Sequence, residues 1–402
     1  MTVTIEKSRA KGTVIAPPSK SMAHRNLICG ALSKQSEISG IAYSQDILAT
    51  IDCLKALGAR VSEQGDKVVL GGLEPENIKS TVLNCRESGS TLRFILPLCL
   101  VCDEEITLKG AGRLMERPMT VYEELCKQKG ISFYKDDKCI KVKGKLSGGE
   151  FTVDGGVSSQ FISGLLFALP LLKSDSVINI TGELQSESYL KLTLASLGAF
   201  GINIDSSDIR HIKIFGNQKY ICQNLRVEGD YSNSAFFEAL NFLGGNVDIT
   251  ELCKESLQGD KVYLDILPKL KQDNAIISLA DCPDLGPILF VLAAVGNGAL
   301  FTDTKRLRIK ESDRVGCMKK ELSKFGVKMD ITDNSVRVYS SKLITPIEPL
   351  YGHNDHRIVM ALSVLATVTG GVIEGAEAVS KSLPDFFNIL KSLGIKVEIN
   401  EA

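Results

Sequence analysis

Cationic side chains stand beside Ser, Gly or Pro at several points where a strand should give way to a helix. The first is Val14-Ile-Ala-Pro-Pro-Ser-Lys-Ser-Met-Ala-His-Arg25. The prolines end a strand, and Ser19 or Ser21 can cap the helix that follows. Lys20, Ser21 and Arg25 then surround a helix N-terminus, where N–H groups without helical partners favour a phosphate or a carboxylate. A capped surface helix with solvated charges fits the same spacing. Three further stretches have this character: Glu87-Ser-Gly-Ser-Thr-Leu-Arg93, Gly112-Arg-Leu-Met-Glu-Arg-Pro118, and Val157-Ser-Ser-Gln-Phe161. Taken singly, each also fits ordinary helix capping.

Later in the chain Pro283-Asp284 precedes an apolar helix, and Arg308-Ile-Lys-Glu-Ser-Asp-Arg314 places three cations and two carboxylates in seven residues. A solvated ladder of ion pairs is the bland reading of that run. His353-Asn-Asp-His-Arg357 has the look of a metal cluster, yet its two histidines have no further ligand set to join, so a capping cluster fits better. Ser380-Lys381 is the last such stretch. Lys20, Arg25, Arg93, Arg113, Lys310, Arg314, Arg357 and Lys381 together make eight cations at strand-to-helix junctions in a chain of net charge −1. That repetition points to a focused positive cleft for a small, multiply anionic substrate. Asp284 and Glu311 are the carboxylates placed for acid/base work in it.

The elements that must position these groups repeat a short pattern: an apolar helix face, then Gly, then a β-branched alternation. It occurs as LKALGARV (54–61), LCKQKGISF (125–133), LASLGAFGINI (194–204), ALNFLGGNVDI (239–249), LSKFGVKMDI (322–331) and LKSLGIKVEI (390–399). Gly just past a helix suits a left-handed cap, and the alternation that follows is a strand signal. Further strands are expected in VTIEKS, KVVLGGL, CIKVKG, IRHIKIFG and SVRVYSS. The spacing is too long and irregular for a solenoid, so an α/β (α+β) protein with mixed sheets in two halves is expected.

Composition excludes other classes. With 47 Lys+Arg against 48 Asp+Glu there is no global field to gather nucleic acid. Trp is absent and aromatics are 6%, which argues against base-stacking platforms. The apolar runs Phe94–Cys102, Leu165–Leu172 and Ile288–Val295 fall well below the roughly 18 residues a membrane span needs. Eleven scattered cysteines read as reduced core residues of a cytoplasmic protein, Cys99 and Cys102 included. No GxGxxG or GxxxxGK[ST] supports a nucleotide loop.

The set PPSKSMAHR, SGSTLR, GRLMERP, SSQF, VEGD, PD, KESDR, NDHR and SKSLPDFF, in this order from Pro17 to Phe387, resembles the enolpyruvyl transferases of aromatic biosynthesis. The resemblance implies an inside-out barrel of two similar domains, each of three βαβαββ units with helices inside mixed sheets. It places one lobe at 18–225 and the other at 1–17 with 226–402, with the active site in the cleft between them. It implies transfer of the carboxyvinyl group of phosphoenolpyruvate to the 5-hydroxyl of shikimate 3-phosphate, releasing phosphate. No cofactor, no metal, no nucleic acid and no membrane take part, and the protein is expected to be a monomer.

Carried over by motif, Lys20, Ser21, Arg25, Ser158, Ser159, Gln160, Ser186, Asp284 and Lys310 would hold shikimate 3-phosphate. Lys20, Gly89, Arg113, Gln160, Arg314, Arg357 and Lys381 would hold phosphoenolpyruvate. Asp284 would take the hydroxyl proton, while Glu311 with Lys20 would protonate the methylene carbon. Several positions depart from the family's habit: Glu87 and Arg306 where Asn is common, Ser90 for Thr, and Phe94 for Pro or Leu. Gly89 lacks a methyl group, which should leave room for the phosphoenolpyruvate mimic glyphosate. The sister transferase acting on a UDP-sugar begins with Lys-Asn where this chain has Lys20-Ser21, and usually has Cys where it has Arg113. A non-catalytic anion-binding protein on the same fold is the rival from another class.

Overall fold

The computed structural model describes residues 1–400. Its contacts divide the chain into two units, Pro18–Glu228 and Met1–Pro17 with Gly229–Ala402. The second crossing falls somewhat beyond residue 225. The strand Asn224–Arg226 runs parallel to Ser36–Ser39, and Val227 N–H still donates to the Ser39 carbonyl (2.9 Å). Each unit has its own apolar core.

The 18–228 unit carries six helices: α1 (Lys20–Leu32), α2 (Gln45–Leu57), α3 (Gly89–Cys99), α4 (Thr120–Gln128), α5 (Ser159–Ala168) and α6 (Glu187–Ala199). Its three sheets have four strands each, and each pairs one parallel neighbour with an antiparallel hairpin. In two of them the chain runs strand, helix, strand, helix, hairpin, as in Val82–Asn84, α3, Ile106–Lys109, α4, Ser132–Lys135 and Cys139–Lys143. The third borrows its first strand from the end of the unit, Asn224–Arg226.

The sequence makes α3 and α5 apolar nearly all round, while α1 buries His24, Arg25 and Asn26 beside its apolar residues, and residues 23–31, 91–99 and 161–168 are buried without a break. Helices of that kind belong in a core. α3 and α5 are joined by the Tyr122 hydroxyl, which donates to the carbonyls of Arg93 (2.7 Å) and Phe161 (2.9 Å). Gly164 makes the approach possible, since any Cβ there would collide with the Arg93 carbonyl and the Tyr122 hydroxyl.

The other unit carries α7 (Tyr231–Phe242), α8 (Tyr263–Lys269), α9 (Gly286–Val295), α10 (Arg314–Ser323), α11 (His356–Thr369) and α12 (Phe386–Ser392). Here α9 and α11 are buried on every side. Two of its sheets repeat the four-stranded plan, one of them taking in the N-terminal strand Thr2–Ile5. The third is only a parallel pair, Lys11–Ile15 with Asn246–Thr250, so the three-fold plan is shortened in this unit.

All six helix–Gly–strand patterns form as expected, and the glycines at 58, 130, 201, 244, 326 and 394 have φ between +68° and +120°. A side chain there would meet the steric cost of the left-handed region, and Gly avoids it. The cysteines only partly follow expectation: all are free and eight are buried, but Cys222 and Cys253 are exposed.

Candidate active site

In the 18–228 unit the first candidate group gathers where α1 begins. Ser19 takes the N-cap position with an extended backbone, and its side chain accepts nothing from the first turn. Lys20 Nζ donates to Asp46 Oδ2 (2.7 Å) at the head of α2. Arg25 is buried and well held: Nη1 donates to the Ser21 carbonyl (2.6 Å), Nη2 to the Tyr189 carbonyl (2.9 Å) and Nε to Thr193 Oγ1 (2.8 Å). Three of its five donors are therefore used within the unit. Burial pulls its guanidinium down to about 10, which leaves it cationic at neutral pH. Ser186 caps α6 in a left-handed conformation (φ +55°), three residues before Tyr189.

A second group forms where α3 and α5 begin. Ser88 Oγ accepts from Thr91 N–H and Ser158 Oγ from Gln160 N–H, so both helices are side-chain capped. Gln160 bridges the two, donating to Ser90 Oγ (2.9 Å) and accepting from Arg93 Nη1 (2.7 Å). Arg93 lies over the Phe161 ring at 5.0 Å. Beside Gly89 sits Arg117: a Cβ built on Gly89 would lie 2.5 Å from its Nη1. Arg113, expected to contact phosphoenolpyruvate, is exposed here and paired with Glu116 (2.8 Å). The two arginines are four apart in Arg113-Leu-Met-Glu-Arg117, and a short 3₁₀ turn lies between them. Glu87 packs its carboxylate against Gly112, where any Cβ would strike it.

The densest constellation is in the other unit. Arg314 begins α10, capped by Asp313, and its guanidinium is buried. It reaches three carboxylates: Nη1 to Asp284 Oδ1 (2.8 Å), Nη2 to Glu311 Oε2 (2.8 Å) and Nε to Asp355 Oδ2 (2.9 Å). Lys310 Nζ lies 3.3 Å from Asp284 Oδ1, and Arg357 Nη2 lies 3.8 Å from Asp284 Oδ2. Asp284 and Glu311 keep 24% and 19% of their side-chain surface exposed, so both can meet a ligand. Arg357 also bonds Asn233 Oδ1 and the Ser232 carbonyl (3.1 Å each). Its Nε is buried without a partner. Lys381 Nζ donates to the Asn354 carbonyl (2.7 Å).

Burial by itself would raise the Asp284 carboxyl. Lys310, Arg314 and Arg357 outweigh burial and hold it well below the usual carboxylate range. Arg314, in turn, is held more firmly cationic because its three carboxylates overcome the cost of burial. For Lys310 burial wins, and its ammonium is lowered. His353 pairs with Glu321, its Nε2 lying 2.8 Å from Glu321 Oε1. His356 opens α11, where Asp355 is the cap.

Sequence reasoning missed three members. Asp355 lay within the NDHR motif, yet its role as the buried partner of Arg314 appears only in the fold. Arg117 was visible in GRLMERP and passed over for Arg113. Asp46 carried no motif at all.

The family model for EPSP synthase (3-phosphoshikimate 1-carboxyvinyltransferase) matches residues 5–390. The chain belongs to the EPSP synthase family. A 3-phosphoshikimate 1-carboxyvinyltransferase of Clostridium perfringens is 40% identical over 418 residues, covering 98% of each chain. One from Clostridium kluyveri is 39% identical over 424 residues, again with 98% of each covered. Among solved structures, an EPSP synthase from Acinetobacter baumannii aligns over 100% of both chains with a TM-score of 0.79 at 21% identity, a likeness of fold. The mixed α/β architecture is thus that of EPSP synthases. Among the described residues no helix is long and apolar enough to cross a membrane.

Proposed function

We propose that this chain transfers the carboxyvinyl group of phosphoenolpyruvate to the 5-hydroxyl of shikimate 3-phosphate, yielding 5-enolpyruvylshikimate 3-phosphate and phosphate. Membership of the EPSP synthase family supports the reaction. The observation that carries the assignment of residues is Asp284, partly exposed and held by Lys310, Arg314 and Arg357.

The chemistry explains why such a carboxylate is useful. In the addition step the 5-hydroxyl oxygen bonds C2 of phosphoenolpyruvate while the hydroxyl proton leaves and C3 gains a proton, giving a tetrahedral ketal phosphate. In the elimination step C3 loses a proton, the C2–O bond to phosphate breaks, and phosphate departs with the bonding electrons. Without substrate, three cations keep Asp284 ionised but weakly basic. When phosphate and carboxylate groups of the substrates share those cations, less positive charge bears on Asp284, and its affinity for the hydroxyl proton rises. Glu311 with Lys20 serves the methylene carbon.

Shikimate 3-phosphate falls to Lys20, Ser21, Arg25, Ser158, Ser159, Gln160, Ser186, Asp284 and Lys310. Phosphoenolpyruvate falls to Lys20, Gly89, Gln160, Arg314, Arg357 and Lys381, with Arg113 free to swing from Glu116. The unpartnered Arg357 Nε is a buried donor of the kind an anion satisfies. Glyphosate, with its phosphonate and carboxylate, is proposed to compete at the same groups. The protein is proposed to work as a cytoplasmic monomer.

The test is phosphate release with phosphoenolpyruvate and either shikimate 3-phosphate or UDP-N-acetylglucosamine as acceptor. The reading expects release only with shikimate 3-phosphate, and its loss in Asp284→Ala. Release with the UDP-sugar would overturn it. So would silence with both acceptors in protein that still binds shikimate 3-phosphate.

A further inference from the structure

A buried polar chain in the 18–228 unit takes no part in the roles given above. His24 Nδ1 lies 2.8 Å from Thr50 Oγ1, Thr50 Oγ1 lies 2.7 Å from Thr91 Oγ1, and Thr91 Oγ1 donates to Ser88 Oγ (2.8 Å). All four side chains are at most 1% exposed. The chain starts one turn into α1, crosses the middle of α2 and ends on the cap of α3, directly before Gly89 and Ser90. A second thread runs beside it. Lys20 Nζ bonds the Asp46 carboxylate, while the Asp46 carbonyl accepts from Thr91 Oγ1 (3.4 Å). α2 therefore ties the Lys20 turn to the Gly89 turn twice, once through charge and once through neutral hydroxyls.

The direction of the chain follows from its ends. A carbonyl can only accept, so the Thr91 proton is spent on Asp46 O or Ser88 Oγ. Thr91 Oγ1 must then accept from Thr50, and Thr50 Oγ1 from His24. That order puts the His24 proton on Nδ1 and leaves Nε2, which is buried without a partner, as a bare lone pair. The opposite order would bury an unpartnered N–H, the costlier arrangement. Burial, with Lys20 and Arg25 close by, keeps the ring neutral, which the chain requires.

We propose that Thr50 and His24 are positioning residues: through this ordered chain they fix the α3 cap, and so hold Gly89 and Ser90 in the geometry that receives phosphoenolpyruvate. The inference rests on the reaction proposed above. Both residues are at most 1% exposed, so their effect passes chiefly through the Gly89 turn that the chain ends on.

The experiment compares wild type, Thr50→Val and Thr50→Ser by steady-state kinetics in both substrates, with thermal melting of each and ¹⁵N spectra of histidine-labelled protein. Val keeps the shape and cuts the chain, whereas Ser restores the hydroxyl. Expected is a rise of roughly 5-fold in the phosphoenolpyruvate KM of Thr50→Val, corresponding to one lost hydrogen bond. The shikimate 3-phosphate KM should move less than the other, and Thr50→Ser should recover most of the loss. His24 should show the Nδ1–H tautomer in wild type. An unchanged phosphoenolpyruvate KM, an equal rise in both KM values, failure of Ser to rescue, or an Nε2–H tautomer would each overturn the inference while leaving the reaction intact. Wild-type silence would instead remove the reaction, and this inference with it.

Discussion

Replacing Asp355 with Asn tests the electrostatic core of the second unit. Asp355 is wholly buried and accepts from Arg314 Nε (2.9 Å), Arg314 Nη2 (3.4 Å), Ser312 Oγ (3.0 Å) and Arg357 N–H (2.9 Å). Asn is as good an N-cap as Asp, so its carbonyl oxygen can keep the bond from Arg357 N–H. The new amide NH₂ must then face Arg314 Nε, donor against donor, while Ser312 can turn its hydroxyl to accept. Breaking a buried ion pair by removing one partner costs about 3–5 kcal/mol. Arg314 retains Glu311 and Asp284, but both are partly solvated, so the lower end applies, about 3 kcal/mol. That corresponds to roughly 150-fold in the folding equilibrium of this unit. Urea titration of wild type and Asp355→Asn, followed by hydrogen exchange in α10 and α11, reads the loss. Phosphate release measured well below the transition should fall too, because Arg314 and Arg357 lose the group that orients them. A loss below about 1 kcal/mol, with activity intact, would mean that Glu311 and Asp284 alone hold Arg314 and that the buried-pair reasoning is wrong.

Four further outcomes are expected. Gly89→Ala pushes the Arg117 guanidinium aside by about 1 Å, so the phosphoenolpyruvate KM and the glyphosate inhibition constant should both rise, by roughly 10-fold or more; unchanged constants would show that Arg117 yields freely. Gly164→Ala should cost more than the ~1–3 kcal/mol of ordinary overpacking, since a backbone carbonyl stands in the way, and melting of the 18–228 unit reads it. His353 is raised to about 9 by its bond to Cys317, with Glu321 adding to it, so it favours folding below its unfolded value near 6.5 and loses that contribution as pH rises through about 9; His353→Gln should flatten the alkaline limb of a stability-against-pH curve. His24 has the opposite sign: its depressed value keeps it neutral in the fold, so its contribution is full above about 6.5 and is lost as pH falls below that. A stability curve of the 18–228 unit that stays flat from pH 7 to 5 would count against a buried neutral His24.

The repeating helix, glycine and strand units were legible because each is decided within about ten residues. The apolar face, the left-handed cap and the β-branched run are neighbours in the chain, and all six patterns formed. Helix starts were legible for the same reason, since Ser88, Ser158, Asp313 and Asp355 cap the turns that directly follow them. The shortened two-stranded pair Lys11–Ile15 with Asn246–Thr250 was not legible, because pairing across that separation leaves no mark in either segment.

By itself, then, the sequence determined the order of elements, a net charge of −1, and the motifs that mark the family. Only the tertiary structure decided which chemical groups meet. Arg314 bonds Asp284 thirty positions away and Asp355 forty-one away, and no local periodicity encodes such a junction. It likewise set Arg117 rather than Arg113 beside Gly89, because a single 3₁₀ turn sends one guanidinium inward and its neighbour into solvent. Capping and propensity act between neighbours in the chain. The field around Asp284 is a sum over groups that come close only after the core has closed, and that is why the structure had to supply it.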